Sequence, residues 1–374
     1  MALDARQWLK LIHDLELPGP VKIMNVCGGH ERSITTAGLR ALLPSQVELI
    51  PGPGCPVCIC PEEDIYQAMQ LALHEDITLV AFGDMLRVPV NVPKKEPRSL
   101  EQAKAQGADI RPIASPLEAM KLALDNPERK VVFFAAGFET TTAPVASMLA
   151  QGIPDNLYVL LSGRLTWPAV AMLLDTGQAA FDALVAPGHV ATVMGPEEWR
   201  FVVEKHQMPV AVAGFESVSL LAAMYSVLRQ KIDDKLFLDN CYPEVAHAGG
   251  NKTALRLMDE TLDVVDSNWR GIGVIPKSGY ALKPKFAAHD ARLQFPDYQD
   301  ESRRRSGEMP PGCDCASVVL GQIYPNQCRL FGSACTPRNP VGPCMVSDEG
   351  ACRIWWSGGI RESEHATKQS SSAS

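Results

Sequence analysis

Eight short apolar runs recur along the first 215 residues, each four to six residues long: 21–26, 47–50, 78–82, 109–113, 131–135, 157–161, 183–186 and 210–213. Between them lie amphipathic stretches of helical spacing, among them 63–73, 99–106, 116–124 and 143–151, and a first one at 4–15. Short continuous runs that alternate with helices predict parallel sheets covered on both faces, because a strand buried on both sides needs no polar alternation. In such sheets ligands bind beyond the carboxyl ends of the strands. The residues that follow each run therefore carry the functional reading.

Those residues are rich in reactive groups. Cys27-Gly28-Gly29-His30 follows the first run, and Gly52-Pro53-Gly54-Cys55-Pro56-Val57-Cys58-Ile59-Cys60-Pro61 follows the second. Asp84, Glu139, His189 and Glu216 end later runs and are candidate acids and bases, although a cap or an ion pair is the plainer role for each alone. Proline fixes φ and glycine opens the left-handed region, so the second loop holds three thiols on a locally determined path. Cys55-x₂-Cys58 is spaced to close a reversible disulfide or to bind a metal, and a helix start beside it would lower a thiol pKa. Cys27 and His30 offer a thiolate and an imidazole that could complete half of a zinc knuckle with that pair. Glycines at 28 and 29 would let a ligand approach the backbone closely. The segment Ala136-Gly137-Phe138-Glu139-Thr140 returns as Ala213-Gly214-Phe215-Glu216-Ser217, with Thr or Ser placed as a helix N-cap. Prolines 89, 93 and 97 mark 85–98 as a loop or mobile flap.

Composition narrows the class. Of 374 residues, 46% are apolar and 21% charged, the balance of a soluble globular chain of two to three domains. The net charge is −8 and no basic tract appears, which argues against nucleic acid or an anionic membrane surface as partner. No apolar run reaches the ~20 residues that span a bilayer. The N-terminus lacks the basic-then-apolar pattern of a signal peptide, so a cytoplasmic location is expected. In that compartment eleven cysteines predict metal binding or redox chemistry in place of a disulfide framework.

Six of those cysteines lie within 313–352, where periodic signals fade and prolines 325, 337, 340 and 343 interrupt the chain. Cys315, Cys328, Cys335 and Cys352 form a candidate ligand set for zinc or for an iron–sulfur cluster. Their wide, irregular spacing lacks paired knuckles and favours a 4Fe-4S cluster, with a structural zinc site as the alternative. Beyond residue 240 strand signals weaken. The expected organisation is an α/β domain over 1–115, a second over 116–235, a cysteine-rich domain over 236–356 and a disordered tail over 357–374.

Cys27-Gly28-Gly29-His30, Gly52-Pro53-Gly54-Cys55-Pro56-Val57-Cys58, Gly137-Phe138-Glu139-Thr140-Thr141 and the cysteine-rich end together resemble the HypD family of NiFe-hydrogenase maturation factors. The likeness runs through nearly the whole chain, including Phe82-Gly83-Asp84, Ala186-Pro187-Gly188-His189, Trp269-Arg270-Gly271 and Ser347-Asp348-Glu349-Gly350-Ala351-Cys352. It implies two α/β domains facing a cleft and a third domain with a 4Fe-4S cluster held by Cys315, Cys328, Cys335 and Cys352. It implies a complex with a HypC-type small chaperone, on which an Fe(CN)2CO unit is assembled, and a HypE-type cyanide donor. Cys27 would bind the assembling iron with His30 as proton donor or orienter, and Cys55 and Cys58 would be a redox-active pair. The family often carries a second histidine two residues after the first, where this chain has Arg32. Cys60, Cys313 and Cys344 fall outside the pattern and read as accessory. A rival of another class is a thiol–disulfide oxidoreductase acting on protein substrates.

Overall fold

The computed structural model describes residues 3–177, 179–299 and 309–360. Eleven strands lie among them: β1 (Val21–Asn25), β2 (Val47–Pro51), β3 (Ile77–Phe82), β4 (Ile110–Ile113), β5 (Lys130–Gly137), β6 (Leu157–Arg164), β7 (Ala183–Pro187), β8 (Val210–Ala213), β9 (Leu238–Cys241), β10 (Leu262–Trp269) and β11 (Gly273–Leu282). All eight apolar runs are strands. They divide between two sheets, one of order β2-β1-β7-β8-β9 and one of order β10-β11-β6-β5-β3-β4.

The first sheet is parallel throughout. The second is parallel from β4 to β6 and then antiparallel, because β11 runs against β6 and β10 against β11. That hairpin lies where strand signals fade in the sequence. Its exposed face carries charged and polar residues, so it lacks the apolar run by which the buried strands announce themselves.

Strand periodicity distributes the core. Along β5, Val131, Phe133 and Ala135 enter one apolar cluster, while Val132, Phe134 and Ala136 enter another on the opposite face. The second of these clusters continues without a break into Cys55, Cys58, Cys315, Cys344 and Cys352. The cysteine-rich segment is thus part of the main core.

The sheets do not follow the expected boundaries. The chain builds β1 and β2, crosses to β3–β6, returns for β7–β9 and crosses again for β10 and β11. A boundary near 115 separates β4 from helix Pro116–Asp125, both of the second sheet unit, and one near 235 separates helix Ser217–Asp233 from its neighbour β9. Local pattern reports strands, while sheet membership depends on which strand each one pairs with. An open cleft of about 500 Å³ lies between helix Glu139–Ala150 and helix Gly188–Met194, which follow strands of different sheets, and His189, Thr140 and Tyr242 line it.

Segment 85–98 is a loop, but it is pinned. Val88 and Val90 are buried, Val90 N–H donates to the Arg98 carbonyl at 2.8 Å, and Asn91 donates twice to Glu62. The tail expected from 357 begins inside helix Ala351–Ser357, and residues 361–374 lie outside the described part.

Candidate functional site

Parallel pairing in register from Val21↔Val47 to Asn25↔Pro51 brings the carboxyl ends of β1 and β2 side by side. Cys27 and Cys55 follow those ends at once. Gly52 N–H donates to the Asn25 carbonyl at 2.8 Å, and Gly28 N–H to the Gly54 carbonyl at 3.2 Å. Two reactive loops 28 residues apart in the chain are thereby joined by backbone hydrogen bonds. Each loop turns into a helix immediately: Gly28–Thr36 after Cys27, and the single turn Pro56–Ile59 after Cys55. Cys55 and Cys58 are bonded as a disulfide, and Cys55 Sγ accepts the Cys58 N–H at 3.2 Å.

The glycine pair is occupied by protein. A Cβ on Gly28 would lie 2.4 Å from the Glu349 carbonyl, and one on Gly29 would lie 2.6 Å from the Phe215 ring. The close approach expected of a ligand is made instead by the cysteine-rich segment and by the turn after β8. Phe215 lies between two imidazoles, with ring centroids 5.0 Å from His30 and 3.9 Å from His189.

His30 is fully buried, and one ring nitrogen, Nε2, lies 3.0 Å from the Ala213 carbonyl. Burial holds its pKa down near 4, so at neutral pH the ring is uncharged, Nε2–H donates to that carbonyl and Nδ1 keeps a lone pair. A neutral ring suits the orienting role better than proton donation. Cys27 opens a helix, yet its thiol is not acidified. Burial pushes it up to about 12, the Glu349 carboxylate adds to the rise, and the His30 and Gly29 amides oppose it. The Glu349 carboxyl is itself raised, by burial and then by Asp84.

Cys27, Cys55, Cys58, Cys344 and Glu349 line one small cavity of about 10 Å³, room for a single water. Asn25, another lining residue, has a buried Oδ1 without a hydrogen-bond partner among the described residues. Cys344 was set aside in the sequence reading, and it joins this cavity to the C-terminal thiols. It hydrogen-bonds through its side chain to Cys315 and Cys352, raising its own pKa and lowering that of Cys352. Cys313 Sγ lies 3.3 Å from Cys315 Sγ. Backbone amides of Asp314 and Leu330 donate to Cys328, and those of Gly342 and Val341 to Cys335. All six thiols are free of disulfides. Among the described residues no three His, Cys, Asp or Glu side chains close on one point as a single-ion site does. Six neighbouring sulfurs, two of them receiving backbone N–H groups, form a donor set that fits a multi-atom thiolate-bound group.

The acids and bases at other strand ends have separate tasks. Asp84 accepts from Ser347 Oγ at 2.9 Å and anchors the segment that bears Glu349. Glu139 is buried and accepts from Thr166 N and Oγ1 at 2.6 and 2.8 Å, so it caps helix Thr166–Asp175 from another element. Glu216 is exposed. Thr140 and Ser217 lie inside their helices and cap neither. The sequence reading missed Glu62, which is 2% exposed and pairs with the buried Arg270. Pro61-Glu62-Glu63-Asp64 read as an acidic helix start, a pattern that gives no sign of a distant partner.

Comparison with known proteins places this architecture among relatives. A family model described as HypD, hydrogenase formation hypA family, matches residues 4–359. The hydrogenase maturation factor HypD of Escherichia coli is 40% identical over 353 residues, covering 92% of this chain and 91% of that protein. HypD2 of Bradyrhizobium diazoefficiens is 38% identical over 362 residues, covering 94% and 93%. HypD of Azotobacter vinelandii is 39% identical over 348 residues, covering 90% and 89%.

Proposed function

The chain belongs to the HypD family of hydrogenase maturation factors, and we propose that it serves as the scaffold on which an Fe(CN)2CO unit is assembled. In this reading the iron is cargo, held by the Cys27 thiolate. A soft sulfur ligand suits low-spin iron carrying strong-field ligands. The observation that carries the proposal is the shared cavity, where Cys27, the Cys55–Cys58 disulfide and Cys344 meet from three distant segments. A HypC-type chaperone would supply a second ligand from outside, and a HypE-type protein the cyanide.

Each residue then has a task. The thiol of Cys27 must lose its proton when iron binds, because burial keeps it protonated at neutral pH. Neutral His30 ties the start of helix Gly28–Thr36 to β8 and fixes the direction of Cys27. Opening the Cys55–Cys58 disulfide takes up two electrons and two protons and gives two thiols, so the pair stores a reducing equivalent beside the iron. Cys315, Cys328, Cys335 and Cys352 are the proposed holders of a 4Fe-4S cluster, with Cys313 and Cys344 in the same group of thiols. Such a cluster supplies one-electron chemistry when bound. The rival, disulfide exchange with protein substrates, needs an accessible sulfur, and Cys55 and Cys58 are 4% and 1% exposed.

The test is an infrared spectrum of the protein purified without oxygen together with its small chaperone, compared with Cys27→Ala. Cyanide and CO stretching bands in the first and none in the second support the scaffold. Absence of bands from both, with the brown colour of a cluster retained, replaces it with an electron-transfer role. Cys58→Ala is expected to abolish assembly while leaving that colour.

A further inference from the structure

The turn between β10 and β11 carries a full charge into the core. Arg270 is completely buried, and its Nη2 donates to the Pro89 carbonyl at 2.7 Å and to Glu62 Oε2 at 3.2 Å. Its backbone N–H donates to the carbonyl of Ile59 at 3.0 Å. Ile59 is the residue after Cys58, so the arginine's own backbone is bound to the helical turn that closes the disulfide. On the other side the turn rests against the C-terminal thiols. A Cβ on Gly271, whose φ is +72°, would meet Ala316, the neighbour of Cys315, at 3.0 Å. The guanidinium favours the ionised form of the Cys313 thiol, and likewise that of Cys60.

A buried ion pair is a poor way to gain stability, since an apolar pair of the same volume often does as well. A fixed charge does have a use where electrons are added or removed. A cation beside a redox group favours the state with more negative charge, and in a low-dielectric core that preference is strong. We propose that Arg270, with Glu62 as its counter-charge, is a positioning residue that sets the reduction potential of the group held by the C-terminal thiols while anchoring the Cys55–Cys58 turn next to it. The inference rests on the reading that those thiols hold an iron–sulfur cluster.

Its signature is a pair of shifts with opposite signs. Removing the cation disfavours the electron-rich state, and removing the counter-charge favours it. A purely structural ion pair has no such asymmetry, because losing either partner loosens the same contact. Arg270→Lys keeps the charge and loses the planar fork that reaches Pro89 and Glu62 together.

The experiment is a dithionite titration of the full-length protein with mediator dyes under argon, followed by visible absorbance and electron paramagnetic resonance. Arg270→Gln is expected to lower the midpoint by a tenfold change in the reduction equilibrium, about 59 mV for one electron. Glu62→Gln is expected to raise it by a similar factor, and the double variant to return toward wild type. Arg270→Lys should stay within threefold of wild type while melting at a lower temperature. If Arg270→Gln fails to fold, Arg270→Lys and Glu62→Gln decide the matter alone. Shifts of one sign in both charge variants, or no shift in either with the cluster intact, overturn the inference by itself. A wild-type protein without iron–sulfur absorption overturns the underlying reading and this inference with it.

Discussion

Gly54→Ala tests whether the approach of the two thiol loops is what matters. A Cβ at Gly54 would lie 1.9 Å from the Val26 carbonyl oxygen and 2.5 Å from Cys27 Cα. Ordinary contact begins near 3.5 Å, so the loop must retreat by about 1.5 Å. What it strikes is backbone, and backbone of the strand end that bears Cys27, so no side chain can swing aside. Overpacking of this kind costs roughly 1–3 kcal/mol. Losing the Gly28–Gly54 hydrogen bond adds about 1 kcal/mol, for a fall in melting temperature of about 5–10 °C. Function should suffer more than stability. A misplacement of about 1 Å between reacting groups can cost on the order of 100-fold. The assay is hydrogenase activity in cells that depend on this protein for maturation, read beside a thermal melt. Gly83→Ala is the control, since a Cβ there meets nothing within 4 Å. If Gly54→Ala matches Gly83→Ala in both measurements, the reasoning about loop contact is wrong.

Three further outcomes follow from buried polar groups. Burial raises the carboxyl of Glu139 to about 7 and that of Glu198 to about 8. The fold thus favours their neutral forms, and their contribution is complete below pH ~4 and lost as pH rises through those values. Urea unfolding at pH 6.5 and 8 should show stability falling, and Glu198→Gln should shrink that fall by about 1–2 kcal/mol; an unchanged difference refutes the assignment. Arg40 donates to both oxygens of the buried Glu31 at 2.7 Å, and Trp355 Nε1 donates to the same carboxylate. Arg40→Ala should cost about 3–5 kcal/mol by thermal melt, and Glu31→Gln in the same chain should recover part of it; equal stability of Arg40→Ala and wild type contradicts the pairing. Cys60 is 1% exposed, and burial pushes its thiol up to about 12. Mass spectrometry should find Cys60 unmodified by N-ethylmaleimide in the folded protein and modified in urea, whereas labelling at native pH 7 would show an open path to it.

Much of the fold was legible in the chain because strand burial on two faces leaves a mark that needs no partner to be read. Val131-Val132-Phe133-Phe134-Ala135 is apolar at every position, and it is β5, buried on both sides. The hairpin of β10 and β11 left no such mark, since half of its residues face outward. The site was legible in part. Pro and Gly around Cys55 and Cys58, and the Cys-Gly-Gly-His turn, announce where thiols are held on fixed loops. The partners of those loops stayed hidden. Phe215 and Glu349 meet the glycine pair from positions 186 and 320 residues further along the chain, counting from Gly29 and Gly29 respectively.

By itself the sequence determined the strands, the reactive turns at their ends and the family to which they belong, because each is written within a few dozen residues and local sterics suffice to enforce it. Tertiary structure decided which sheet each strand joins, that Cys344 stands between two groups of thiols, and that Arg270 and Glu62 meet in the core. Those outcomes depend on pairing and burial between segments up to 300 residues apart. Cys344 differs from Cys313 in nothing the chain alone displays, and only packing sets one of them against the disulfide.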